Sequence, residues 1–219
     1  GKDYVIAFKE FMKDEFDKRV VTAAYEIADP TVDSQIVNLK STGADALLVA
    51  GTPKFAAQAI RKASEIGWKP TLILNYPSSS VGATLKPAGL DKSVGVIVGT
   101  FTKDPTDTKW DKDKGMNDYR AFIDKYMPGV DISDGNYLFG YTQGMILEQI
   151  IKQCGIDLSR ANILKQAKNL KGIVLPTVLP GVLVNTSEAV NQDFTQMRLQ
   201  RWTGESWDQF SEVLDAKSE

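Results

Sequence analysis

Ala46-Leu47-Leu48-Val49-Ala50, then Gly51-Thr52-Pro53, then Phe55, Ala56, Ile60, Ala63 and Ile66 at helical spacing, then Gly67, then Thr71-Leu72-Ile73-Leu74: this stretch decides the fold class. The two apolar runs are short and continuous, as in parallel strands buried on both faces. Between them Pro53 stands where a first helical residue can do without its N–H, and Gly67 where the helix must stop. Strand, helix and strand together make a βαβ unit.

The same alternation extends outward. Toward the start, Asp29-Pro30-Thr31 opens a helix carrying Val32, Ile36, Val37 and Leu39, which Gly43 closes. Before it, the β-rich run from Arg19 to Tyr25 predicts a strand, and Tyr4, Val5, Phe8, Met12 and Phe16 predict an amphipathic helix. Toward the end, Val94-Gly95-Val96-Ile97-Val98 predicts a further strand. Strand and helix thus alternate, which reads as an α/β domain with a parallel sheet flanked by helices.

From Lys103 to Lys114 the chain turns polar, with one proline, and reads as a loop or domain crossing. Helices follow around Tyr119–Tyr126, Tyr137–Gln153 and Ile163–Asn169. Gln196–Trp202, a Thr203-Gly204-Glu205 turn and Trp207–Val213 alternate as a β-hairpin does. A parallel sheet that opens on a helix lacks the strand feeding it, and the second half has three helices with few strands to cover. The expectation is a carboxyl-terminal portion of a longer protein. Helices made to cover an absent sheet would expose Tyr137, Ile146, Leu147 and Ile150 and favour association, through a homodimer partner or the missing half.

Composition removes whole classes of function. The 219 residues carry 26 Lys and Arg against 28 Asp and Glu, a formal charge of −2, so no electrostatic footprint for nucleic acid exists. Histidine is absent, which excludes Ser-His-Asp and Cys-His catalysis and His-ligated zinc. The single cysteine, Cys154, permits no internal disulfide and reads as a small buried hydrophobe. The most apolar stretch, Gly172 to Val184, carries Pro176 and Pro180 and falls well short of the ~20 residues of a membrane span.

Three motif matches fail on their chemistry. Asp111-Lys112-Asp113-Lys114-Gly115 starts like a calcium loop, but its glycine comes one place early and Phe122 stands where the bidentate Glu belongs. Gly140-Tyr141-Thr142-Gln143-Gly144 resembles a nucleophile elbow with no base to activate it. Asn185-Thr186-Ser187 matches a glycosylation sequon, a short pattern that chance supplies often. No metal site and no cofactor motif is predicted.

Open α/β sheets bind ligands outside the carboxyl ends of their strands. Three such ends carry suitable groups: Thr52 after the first apolar run, Asn75 and Tyr76 after the second, and Phe101 after the third. Each also has a structural reading: helix capping for Thr52, turn formation for Asn75, packing for Phe101. Their convergence on one edge makes Thr52, Asn75, Tyr76 and Phe101 the candidate ligand-binding residues.

At this point the chain resembles a known family, the substrate-binding proteins of ABC transporters for branched-chain amino acids and related molecules. The resemblance rests on Gly1-Lys2-Asp3-Tyr4-Val5, on Thr42 to Val49, and on Gln58 to Ala63 with Gly67-Trp68-Lys69-Pro70. It continues through Val94-Gly95-Val96-Ile97 and Gly140-Tyr141. It implies the type I periplasmic binding fold, two α/β lobes with the ligand clamped between them. On that reading residues 1–102 form most of the second lobe, residues 103–195 the crossing segment and helical remainder of an incomplete first lobe, and residues 196–219 a hairpin returning to the second lobe.

The resemblance further implies a non-enzymatic, periplasmic or otherwise extracytoplasmic protein whose partners are a small-molecule ligand and ABC permease subunits. A ligand-sensing receptor domain or an α/β enzyme of the same fold are the alternatives. One departure stands out. Family members that bind α-amino acids commonly carry an acidic residue on the loop matching Leu74–Pro77, whereas here that loop is Asn75-Tyr76-Pro77. An unpaired buried ammonium costs several kcal/mol, so an aromatic, carboxylate or neutral amino-acid-like ligand is expected.

Overall fold

The computed structural model describes residues 1–188 and 192–216. In chain order it forms α1 (Lys2–Met12), α2 (Phe16–Arg19), α3 (Asp33–Ser41), β1 (Ala46–Val49), α4 (Pro53–Glu65), β2 (Thr71–Leu74) and α5 (Lys86–Ala88). After these come β3 (Ile97–Thr100), α6 (Lys114–Tyr126), α7 (Gly135–Cys154), α8 (Arg160–Ala167), β4 (Gln196–Trp202), β5 (Trp207–Gln209) and β6 (Leu214–Asp215). The chain divides into two units, Gly1–Val98 with Arg201–Ser206, and Gly99–Gln200 with Trp207–Glu219.

In the first unit β1 and β2 pair in parallel, Leu47 opposite Leu72 and Leu48 opposite Ile73. β3 continues the parallel order, with Ile73 opposite Ile97 and Leu74 opposite Val98. α4 crosses between β1 and β2. Phe55, Ala59 and Ala63 of α4 close a core with Val32, Ile36 and Leu47, while Ala56, Ala57 and Ile60 are buried as well. So many alanines let the helix lie close to its neighbours, and Gly67, at φ 66°, ends the turn that follows it. Trp202 is buried; its N–H donates to Val96 O and its Nε1 to Leu90 O.

Several expectations need correction here. Residues 20–25 form no strand: Arg19 closes α2 and the chain then runs mostly exposed. A strand needs a hydrogen-bonded neighbour, and β1 pairs only with β2 among the described residues. Neither β1 nor β2 is buried along its length on both faces: only Leu47 and Leu74 are fully buried, while Ala46 and Thr71 are exposed. α1 forms as predicted, yet buries none of its residues; of that apolar set only Phe16, in α2, is buried. β3 starts at Ile97 rather than Val94, because Gly95 takes φ 90° and Val94 turns out to solvent. The segment 76–88, given no element by its sequence, winds into a 3₁₀ turn (Tyr76–Ser78), a π turn (Val81–Leu85) and α5.

In the second unit the polar run after β3 is held down rather than loose. Lys103, 7% exposed, donates to Asp113 Oδ2 at 2.7 Å and to Pro176 O at 2.6 Å, with its ammonium 4.9 Å from the Trp110 ring centre. Arg120 donates to Pro105 O and Trp110 O. Asp113 also caps α6 by accepting from Met116 N–H, which is the role the failed calcium-loop match fills. Gly115 touches Pro176 so closely that a Cβ there would lie 2.3 Å from Pro176 Cβ. Only glycine fits.

α7 packs Ile146, Ile150 and Cys154 against Leu170, Leu175, Val178, Leu179, Val182 and Val184. The proline-bearing apolar stretch is therefore core, and Cys154 is buried and unpaired as expected. It also corrects the predicted exposed face. Ile146 and Ile150 are covered by that stretch and Tyr137 is half-buried, leaving only Leu147 of the four exposed. A second cluster joins Met116, Tyr119 and Ile123 of α6 to Leu138 of α7. β6 pairs with β4 antiparallel, Met197 opposite Leu214, and β5 is shorter than the predicted second arm of the hairpin.

Candidate functional site

Backbone bonds place the loops after β1 and β2 side by side in the first unit. Asn75 N–H donates to Val49 O at 3.2 Å, and the buried Ser78 hydroxyl donates to Gly51 O at 2.8 Å. From further back in the chain, Tyr25 packs on Phe55 with ring centres 4.3 Å apart and planes tilted by 44°, and its hydroxyl accepts from Thr52 N–H at 3.1 Å. A Cβ on Gly51 would stand 3.0 Å from that hydroxyl, so glycine is what lets Tyr25 reach the edge. The result is a fixed shelf at the carboxyl ends of β1 and β2, where the candidates Thr52, Asn75 and Tyr76 stand.

Both structural readings hold for the backbone and not for the side chains: Thr52 O accepts from Ala56 N–H at the start of α4, and Asn75 O accepts from Ser78 N–H in the turn it opens. Thr52 holds the N-cap position of α4 with extended backbone, yet its side chain makes no capping bond. Pro53 has no N–H, so the remaining first-turn donors of α4 face outward without a side-chain cap. Asn75 precedes the 3₁₀ turn and does not cap it either, and its Oδ1 is buried with no hydrogen-bond partner. A buried carbonyl oxygen left unpaired costs about 1–3 kcal/mol. Tyr76 is half-buried at the head of that turn.

The first turn of α4 brings one charged side chain near this shelf, Lys54, whose ammonium lies 4.8 Å from the Phe55 ring centre. Residues 74–80 hold no Asp or Glu, and the start of α4 contributes the positive end of its dipole. Phe101 belongs to the second unit, where it stacks on Phe194 at 4.1 Å with the rings 12° apart and meets Phe139 edge-on at 6.3 Å. Its backbone oxygen accepts from Leu179 N–H. The structure thus joins the loops of Thr52, Asn75 and Tyr76 and gives Phe101 a packing role in its own unit.

Elsewhere in the first unit Thr31, Asp33, Gln58, Arg61, Lys62 and Glu65 line a shallow polar depression. The Thr31 hydroxyl and the Lys62 ammonium hold the Asp33 carboxyl below the usual range. Lys62 bridges Asp33 and Glu65 at 3.0 and 3.6 Å, so these charges answer one another. Among the described residues no group of three His, Cys, Asp or Glu could hold a metal ion, and no helix is long and apolar enough to cross a membrane.

Residues 1–206 match the family model of the periplasmic binding proteins. The chain belongs to that family. Its fold is shared with solved structures at low sequence identity. One is a branched chain amino acid ABC transporter from Thermus thermophilus with bound valine, at 12% identity and TM-score 0.72, covering 87% of this chain and 51% of that one. Another is a possible leucine/isoleucine/valine-binding protein from Rhodopirellula baltica, at 15% and 0.74, covering 96% and 56%. A third is a substrate-binding periplasmic protein from Ralstonia solanacearum, at 17% and 0.74, covering 98% and 57%. No curated protein matches the chain. The chain therefore spans little more than half the length of these neighbours, with the type I α/β architecture that its sequence resembles.

Tyr25, Gly51 and Ser78 are the shelf residues that sequence reasoning missed. Ser78 sits in the polar run Ser78-Ser79-Ser80, whose composition suits a loop and singles out no one residue. Tyr25 carried no signal, since its bond to Thr52 spans 27 positions.

Proposed function

We propose that the chain forms part of an extracytoplasmic solute-binding protein serving an ABC importer, and that the shelf of Thr52, Asn75 and Tyr76 is its share of the ligand site. The observation that carries this reading is the buried, unpaired Asn75 Oδ1 beside the uncapped start of α4. An acceptor held without a donor and donors held without an acceptor suit a ligand that supplies both.

Asn75 Oδ1 would take an N–H or O–H, the Thr52 hydroxyl and the first turn of α4 a carboxylate or carbonyl oxygen, and Tyr76 an aromatic or apolar body. Phe101 stays in the proposal as an aromatic surface of the second unit. With no carboxylate between residues 74 and 80 to balance an ammonium, an aromatic acid or a neutral amide suits the shelf better than a zwitterion. Binding rather than turnover fits these groups, because neither Thr52 nor Asn75 is a general base and Tyr76 is the single residue of the three that could serve as one. The two-lobe assignment of residues 1–102, 103–195 and 196–219 is part of the same proposal.

Titration calorimetry of the intact protein against aromatic acids, neutral amides and branched-chain α-amino acids tests this. An acid or amide is expected to bind at least about tenfold more tightly than valine or leucine, a difference of about 1.4 kcal/mol. Tightest binding by valine or leucine would overturn the assignment of ligand class.

A further inference from the structure

Tyr25 lies outside any helix or strand, half-buried on the segment between α2 and α3. That segment is nevertheless tied down. Gln35 Nε2 donates to Ala24 O at 3.3 Å, and Glu26 N–H donates to Asp29 Oδ2 at 2.8 Å. The Tyr25 ring is seated on Phe55, and its hydroxyl oxygen accepts from Thr52 N–H. A phenol has a proton to give as well as lone pairs to receive with. The bond from Thr52 uses a lone pair, and among the described residues no acceptor takes the proton.

We propose that the Tyr25 hydroxyl donates to a carboxylate of the ligand and makes the shelf selective for an acid over its amide. This assignment rests on the shelf being the ligand site. Three features of the surroundings support it. Accepting from Thr52 N–H polarises the Tyr25 oxygen and strengthens its O–H as a donor. The hydroxyl stands beside the first turn of α4, where the Lys54 and Phe55 N–H groups have no side-chain cap and Lys54 adds an ammonium. Acceptors are scarce there: Asn75 Oδ1 is buried and unpaired, residues 74–80 hold no Asp or Glu, and Asp29 is turned onto the backbone of its own segment. A carboxylate offers such a donor set two oxygens and a full charge, whereas an amide offers one neutral oxygen.

Titration calorimetry of the intact protein with benzoate and with benzamide, in the parent and in Tyr25→Phe, tests this. The substitution keeps the ring on Phe55 and removes only the hydroxyl. The parent should bind benzoate about tenfold or more tightly than benzamide. Tyr25→Phe should weaken benzoate by about 10- to 100-fold, as for a lost hydrogen bond to a charged group, and benzamide by only about 2- to 10-fold. A tyrosine that merely braces the shelf would weaken both probes alike. Equal losses, no loss, or a parent that binds benzamide as tightly as benzoate would each overturn the proposal. Asn75→Ala, titrated with benzoate alongside, keeps the two assignments apart. If it weakens benzoate while Tyr25→Phe does not, the role given to Tyr25 is wrong and the shelf stands. If neither variant changes benzoate affinity, the shelf is not the site and both fall.

Discussion

Lys103→Ala is expected to lower stability by about 3 kcal/mol, enough to drop the melting temperature by roughly 6–12 °C in a chain of this size. Lys103 is almost wholly buried, and its ammonium answers both the Asp113 carboxylate and the Pro176 carbonyl. Removing it strands both acceptors and takes away one of the two ammonium groups over the Trp110 ring, leaving Lys109. Breaking a buried pair costs ~3–5 kcal/mol; the low end applies because the Asp113 side chain keeps 27% of its exposure.

The loss should depend on pH. Burial pushes the Asp113 carboxyl up, but Lys103 and the Met116 and Gly115 N–H groups together hold it below its ordinary value. A carboxyl depressed in the fold stabilises fully above its unfolded value of ~3.9, and that contribution fades as pH falls through the folded value. Asp104, raised chiefly by burial, works in the opposite sense, favouring the fold below the ordinary range and losing that as pH rises. The quantity to measure is therefore parent minus variant in thermal unfolding at pH 7 and pH 3, where the gap should be wide and then narrow. An unchanged melting temperature at pH 7 would remove the clamp from the account.

A triple substitution, Thr52→Ala with Asn75→Ala and Tyr76→Ala, is expected to weaken ligand binding by about 30- to 1000-fold. Each hydrogen bond contributes ~0.5–1.5 kcal/mol and the aromatic contact a similar amount, roughly 2–4 kcal/mol in total. Stability should move the other way at one of these positions. Asn75 Oδ1 is buried and unpaired without ligand, so Asn75→Ala removes a desolvation cost and should leave the ligand-free protein as stable as the parent, or more so. A purely structural asparagine would lose stability and leave affinity alone. Calorimetry and thermal unfolding of the same variants separate the two.

How much of this was legible in the sequence depends on how local each cause is. The βαβ unit could be read because Pro53, Gly67 and two continuous apolar runs act within a few residues of themselves. The position of Thr52 and Asn75 just past the strands could be read because strand ends follow from the strands. Whatever depends on distant partners stayed hidden. Nothing near Ile146 or Ile150 tells that residues 170–184 will cover them, and Lys103 looks like any solvated lysine until Pro176 and Asp113 close on it. The run from Arg19 to Tyr25 has strand propensity but finds no neighbour to pair with, and propensity without a ladder makes no strand. Tyr25 then serves as a strut for the shelf, through a bond that no local pattern announces.

The most direct measurement is amide hydrogen exchange of the intact protein, with and without the tightest-binding acid or amide from the calorimetric panel. Slowed exchange is expected at residues 54–56, the first turn of α4, and at residues 75–78, with little change along residues 58–65. Protection confined to residues 31–33 and 58–65, with none at the ends of β1 and β2, would place the ligand in the polar depression and contradict the assignment of the site.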